Sequence, residues 1–551
     1  VPVLAHRLLI PALLAAATPA AALQRGNDHG SAVIIMGQEP ATPIPTMLSG
    51  SANIAVSDLL FLRLARPGAG LSTTDERAFE PQLARSWSRR DSLTIVFELD
   101  PRARWHDGVA VTAKDVVFSF ARMRDSTVDA QRALLLRYIA SVAADGEQRV
   151  VIRFRRAYPE QFYDATYHVQ PLPAHLVDTL PPGARFAASE FVKRPVGNGP
   201  YRWVRREPGR QLELAANPGF FLGAPKLDRL VFLTVRDPEA QINLLLDGSA
   251  DIFEAVPPVS GPVRLLANPA VKLLTVPSLS VLYLLFNERA SGDRTRPHPI
   301  LGDVGVRRAI AMALDRLNLA RSTYGRFALP AEAPVAQAHW TRGLVPRGAA
   351  YNPAAARALL AASGWVDRNG DGILEKDGQP LALRLSIPAT SATRAIMAPQ
   401  VQEQLRRIGI RVDIDRLDFP VFIERRTKGE FDLDLSVANM DPSPSGIVQS
   451  WSCAGRGGSN VGWFCNPGLD SLLERSIYSQ GSGGRYWQAA YARLQGDVPA
   501  VFLASPAISI AVHGRFRNVS IRPESMYGDL WRWSVDPGRR ISRDGTGATP
   551  R

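Results

Sequence analysis

The stretch Trp105 to Met123, WHDGVAVTAKDVVFSFARM, leaves little freedom in how it folds. It dictates a strand, a tight turn and a capped helix. Asp107-Gly108 supplies the turn, because glycine tolerates the positive φ that a two-residue hairpin demands. Thr112 then offers its hydroxyl to the free N–H groups of a starting helix, and Asp115 reaches back, forming a T-x-x-D capping box. Val116, Val117, Phe118 and Phe120 form the apolar face that follows. His106 beside Asp107 reads as a hairpin corner rather than a catalytic pair, since no nucleophile stands nearby.

With 551 residues the chain is long enough for two or three domains with full cores. An apolar share of 46% and a charged share of 21% place it among soluble globular proteins. Residues 1–22 read as a secretory signal peptide. His6-Arg7 makes a short polar start, Leu8 to Ala17 is apolar apart from Pro11, and Ala20-Ala21-Ala22 offers small residues for cleavage. The run is too short to span a membrane. No cysteine follows Ala22 directly, so a lipid anchor is not expected there and the periplasm is the expected address. Residues 539–551 (RRISRDGTGATPR) read as a flexible tail.

The net charge of +13 is spread along the chain with no basic run of five. Together with the lack of any nucleic-acid motif, this argues against a nucleic-acid partner. The charge fits a solvated surface that also helps attract anionic solutes. There is no H-x-x-x-H, G-x-S-x-G, Walker or C-x-x-C spacing. The sequence therefore offers no positive case for an enzyme and none for a cofactor. Asp367, Asn369, Asp371 and Glu375 are spaced like calcium ligands, but Gly378 stands where a bidentate Glu is needed. A solvated polar hairpin is the expectation, with weak calcium binding as the alternative. The only cysteines, Cys453 and Cys465, are expected to form a disulfide in an oxidising compartment. No His or third Cys is near enough for zinc.

Along the chain, Ala32–Met36 reads as a buried strand and residues 38–46 as a Pro-rich loop. Val196-Gly197-Asn198-Gly199-Pro200-Tyr201 is a tight turn into a strand. Pro200 blocks the helix start that a dinucleotide site needs. A helix ends at Gly248. Val281 to Asn287 is an apolar strand, and Val304 to Leu319 has the spacing of one amphipathic helix. Ala354 to Ser363 forms a helix stopped by Gly364. Leu381–Ile387, Pro399–Ile408 and Ile410–Ile414 alternate strand, helix, strand. Phe502-Leu503 and Ile508–Val512 are further strands. This rhythm indicates an α/β protein.

These blocks, in this order, resemble family 5 of the extracytoplasmic solute-binding proteins, the oligopeptide, dipeptide and nickel receptors of bacterial ABC importers. The resemblance begins at Leu83-Ala84-Arg85-Ser86-Trp87 and Phe97-Glu98-Leu99 and runs through the motifs above to about residue 535. It implies an α/β, periplasmic-binding-protein-like fold of type II, with two lobes, a ligand cleft and an inserted subdomain in the first lobe. The first lobe would take residues 23–56, 190–283 and 505–538, the insertion 57–189, and the second lobe 284–504. The implied protein is a monomer that binds and does not catalyse. It captures a short peptide or peptide-like solute and delivers it to the membrane subunits of an ABC permease. The alternatives are a non-peptide solute on the same fold (nickel chelate, opine or glycan), or a secreted hydrolase.

In peptide-binding relatives a loop matching Ser436 to Trp451 carries an Asp that holds the ligand's α-amine. Here Ala438 or Asn439 stands at that place, and Asp441 before Pro442 is the available carboxylate. The resemblance assigns the ligand to Thr46, Tyr283, Asn439, Met440, Asp441, Ser443 and Trp451. Trp340 and Trp463 are further aromatic candidates, and Arg307, Arg308 and Arg342 are candidate partners for a ligand carboxylate.

Overall fold

The computed structural model describes residues 30–544 apart from 49, 126–132, 134, 255, 259–260, 480 and 482. The expected signal peptide lies outside the described residues. Ser31–Met36 is buried at every position. It lies parallel between Arg229–Thr234 and Ile252–Phe253, and a strand covered on both faces must be apolar throughout. Gln211–Ala216 and Tyr201–Glu207 extend this first-lobe sheet in antiparallel fashion.

The two lobes share one strand. Ala500–His513 pairs through its C-terminal half with Val271–Pro277 and Ile252–Phe253. Through its N-terminal half it pairs with Ser280–Phe286. The second lobe then continues through Leu433–Asn439, Ala382–Pro388 and Arg411–Leu417. Two short strands were expected here, but the strand is continuous. Pro506, which has no N–H to give, sits where the partners change. The chain makes its other crossing between Pro277 and Ser280, a few residues before the expected boundary at 283. An apolar run does not reveal which sheet it will join.

Residues of Ser280–Phe286 alternate between two cores. Leu282, Leu284 and Phe286 enter one. Val281, Tyr283 and Leu285 enter another, with Ile447, Trp451 and Phe502. This period of two turns Tyr283 toward the interlobe cleft.

The insertion carries an antiparallel sheet in the order Ala84–Asp91, Thr94–Leu99, Arg149–Phe154, Ile139–Ala144. Its helix, Ala113–Met123, follows the corner read from sequence. Gly108 has φ +93°, and the Thr112 N–H donates to Asp115 Oδ2 at 2.8 Å. Asp115 also accepts from Trp105 Nε1 and from the Ala174 N–H. The corner docks on the turn at 197–199, where a Cβ on Gly197 would lie 1.9 Å from the Leu60 carbonyl oxygen.

Three expected elements are corrected. Val304 to Leu319 is two helices, Val304–Ala313 and Arg316–Tyr324, because Asp315 accepts from the Asn318 N–H and caps a new start. The helix expected from Pro399 begins at Ala392, capped by Ser391, and holds Pro399 in its interior. The tail is not loose over its described part: Asp544 is buried and binds Arg515 and the Ser31 N–H. A buried arginine draws in whichever carboxylate can reach it.

Candidate functional site: the interlobe cleft

Tyr283, Asn439, Met440, Asp441, Ser443 and Trp451 converge on one cavity of about 370 Å³. Tyr283 and Trp451 form its inner wall, with Phe502 packed edge-on to Trp451 at 5.3 Å between centroids. Thr46 does not line this cavity. Its turn Pro45–Met47 is pressed into the first-lobe core through Pro45 and Met47, and its hydroxyl is buried without a partner among the described residues.

Leu433–Asn439 pairs along its whole length with Ser280–Phe286, but with Ala382–Pro388 only at Leu433 and Asp434. Its other edge, from Leu435 onward, has no strand partner among the described residues. Val437, Ala438 and Asn439 of this stretch line the cavity. Asn439 accepts from the Ser280 hydroxyl at 2.7 Å.

Asp441 is exposed on the second-lobe wall. Across from it stand Tyr163 and Tyr167 of the insertion, stacked at 4.7 Å. Burial first, then the Asp441 charge, push both phenols well above their usual range. The Tyr163 hydroxyl is buried and has no partner among the described residues.

Sequence reasoning missed Arg426, which also lines the cavity. Its guanidinium donates to Asp434 at 2.8 Å and to Ser436 at 3.3 Å. Burial by itself would lower Arg426, but Asp434 and Tyr283 reverse this and leave it raised. Asp434 is fully buried and held up by burial against the opposing charges of Arg426 and Arg394. The guanidiniums of Arg426 and Arg394 thus share the one buried carboxylate of Asp434. Nothing in a helix reading F-P-V-F-I-E-R-R-T-K marks one arginine as facing a ligand. Of the arginines named from sequence, Arg307 and Arg308 are occupied elsewhere. Arg307 donates to the carbonyls of Leu301, Asp497 and Val498, and Arg308 to that of Gly496. Arg342 is exposed and outside this cavity. Trp340 donates to Thr73 at 3.1 Å, and Trp463 lies under Arg294.

A second cavity of about 430 Å³ shares Leu135, Gln449 and Ser459 with the first. A third of about 850 Å³ shares Tyr158, Glu160 and Ile477 with the second. The three cavities thus lie side by side in a row. Cys453 and Cys465 are disulfide-bonded, and the loop they close supplies Ala454, Gly455, Gly458 and Ser459 to the middle chamber.

The residues of the calcium alternative, Asp367, Asn369, Asp371 and Glu375, make hydrogen bonds within their own hairpin. Asp367 accepts from the Gly370 and Gly372 N–H groups, while the Asn369 carboxamide donates to Asp371 and Glu375. Among the described residues no group of three or more His, Cys, Asp or Glu could hold a metal ion.

Residues 78–459 match the family model described as "Bacterial extracellular solute-binding proteins, family 5 Middle". The oligopeptide-binding protein AppA of Bacillus subtilis is 27% identical over 473 residues, 84% of this chain and 85% of AppA. Its structure in complex with a nonapeptide superposes with a TM-score of 0.78 at 24% identity, covering 92% of this chain and 99% of that one. NikZ from Campylobacter jejuni in complex with Ni(L-His) gives a TM-score of 0.78 at 23% identity over the same shares. These likenesses show the two-lobed, periplasmic-binding-protein-like fold with its ligand cleft. The family match extends over more than half the chain, which therefore belongs to family 5 of the bacterial extracellular solute-binding proteins, receptors that bind solutes for ABC transport and do not transform them.

Proposed function

We propose that this protein captures a short peptide or peptide-like solute in the periplasm and delivers it to an ABC permease. The observation that carries this reading is the unpaired strand edge at Val437–Asn439, flanked in one cavity by Arg426 and Asp441. An extended peptide can add to such an edge through main-chain hydrogen bonds. Asp441 suits an ammonium and Arg426 a carboxylate, so the pair favours a zwitterion. Tyr283, Asn439, Met440, Ser443 and Trp451 complete the wall. The solute touches both lobes and so favours their closed arrangement.

Native mass spectrometry of the protein purified from its source tests this by weighing the bound guest, followed by a thermal-shift screen of peptides from two to nine residues. Stabilisation should grow with concentration as RT ln(1 + [L]/Kd). A flat response to every peptide, with a metal chelate or glycan as the weighed guest, would overturn the peptide assignment and keep the fold.

A further inference from the structure

We propose that Glu160 is the latch of the closed receptor, a carboxyl group of the insertion that ties the first lobe to the second. It rests on the clamp reading above, but not on the identity of the solute. Glu160 stands at the N-terminal end of the helix Gln161–Thr166 and is 4% exposed. The Ser443 hydroxyl, from the second lobe, donates to its Oε2 at 2.7 Å. The Thr73 hydroxyl, from the first lobe, contacts its Oε1. Trp340, from the second lobe, donates its indole N–H to that same Thr73 oxygen. The polar chain Trp340–Thr73–Glu160–Ser443 therefore crosses the gap twice. Further side-chain polar contacts across this gap, Arg137 and Tyr138 to Tyr478 and Arg156 to Glu474, involve half-buried or exposed side chains.

A carboxyl placed here makes closure depend on its proton. Among the described residues no lysine or arginine pairs with Glu160. On its own element it faces Asp164 and His168, with Tyr158 just before it. From the second lobe it faces Tyr491, and His339 stands beside Ser443. Arg89 reaches the neighbouring Gln161 at 2.9 Å but not Glu160. Burial is the largest effect. It outweighs the hydrogen bonds from Thr73 and Ser443 and pushes Glu160 up to about 7. When the lobes part, water reaches the group and it returns toward the ordinary range near 4.3. The closed form then binds a proton that the open form does not. Closure is favoured as pH falls through 7 and opposed above it.

The test uses full-length protein with spin labels at two exposed positions, Val109→Cys on the insertion and Ile396→Cys on the second lobe. Distances are read by double electron–electron resonance without ligand. The closed-to-open ratio should rise about thirtyfold from pH 8.5 to pH 5.5. In Glu160→Gln, which keeps the shape and removes the titration, the ratio should not move with pH. Thr73→Val should lower the closed fraction at both pH values. A pH-invariant ratio in the parent, or the same pH response in Glu160→Gln, would overturn the latch. If no peptide binds while the distances behave as stated, the peptide reading fails and the latch stands.

Discussion

His106 Nδ1 accepts the backbone N–H of Gly197 at 3.1 Å, and its Nε2 donates to the Gly199 carbonyl at 3.1 Å. One neutral ring thus joins the hairpin corner of the insertion to the glycine turn of the first lobe. Protonation would set a new N–H against the Gly197 N–H. Burial accordingly lowers the ring's pKa to about 4.

The fold prefers this ring neutral, whereas the unfolded chain takes up its proton near 6.5. The contribution is intact above pH 6.5 and is lost as pH falls toward 4, up to roughly 3 kcal/mol. Glu160, Glu254 and Glu288, each pushed up to about 7 by burial, act in the opposite direction. The comparison is therefore between His106→Asn and the parent. Urea unfolding at pH 8 should show a loss of about 1–3 kcal/mol, and the gap should narrow by pH 4.5. A constant gap would refute the neutral-ring account.

Asp441→Asn should weaken binding of any peptide with a free amino terminus at least tenfold, because a charge pair shut inside a closing cleft is worth about 2–5 kcal/mol. Thermal stability without ligand should be unchanged, since Asp441 is exposed. Calorimetric titration with a peptide and its N-acetylated form separates the two effects. Equal losses for both forms would count against an amine partner.

Reducing the Cys453–Cys465 bond, or replacing both cysteines by Ala, should cost about 3 kcal/mol on the chain-entropy model for a loop of this size. The measurement is denaturant unfolding with and without reductant. The loop also walls the middle chamber, so the longest peptides should lose the most affinity. Equal losses at every length would remove that chamber from the binding path.

Asp544→Ala should destabilise the protein by roughly 3 kcal/mol or more, because it leaves Arg515 buried with one acceptor fewer. Arg515 is 0% exposed and keeps Asp251 at 2.8 Å. A Tm equal to that of the parent would show that the pair is not needed.

Local signals carried well from residues to structure. The Thr112–Asp115 box, the Asp107-Gly108 turn, the stop at Gly364 and the buried strand at Ala32–Met36 all depend on neighbours within a few residues, and all are present. Asn439, Met440, Asp441, Ser443 and Trp451, named through the resemblance to peptide receptors, line one cavity. Arg426 was not legible, because its meaning lies in Asp434 and Ser436, which its own helix does not reveal. Glu160 was also invisible, since its partners Thr73 and Ser443 are brought together only by folding. Thr46 lies apart from that cavity, because its turn packs into the first-lobe core through Pro45 and Met47. The break at Asp315 was missed since an apolar period runs through it, and a side-chain cap there outweighs continuity.

The strand Ala500–His513, with membership in both sheets, sets how the receptor can move. Neither half can drift away as a free body, because each would have to surrender part of the same ladder. Opening must be delivered as torsion within two backbone crossings, at Ser278-Leu279 and Ser505-Pro506. The molecule therefore works like tweezers cut from one piece of metal, with the backbone itself as the spring.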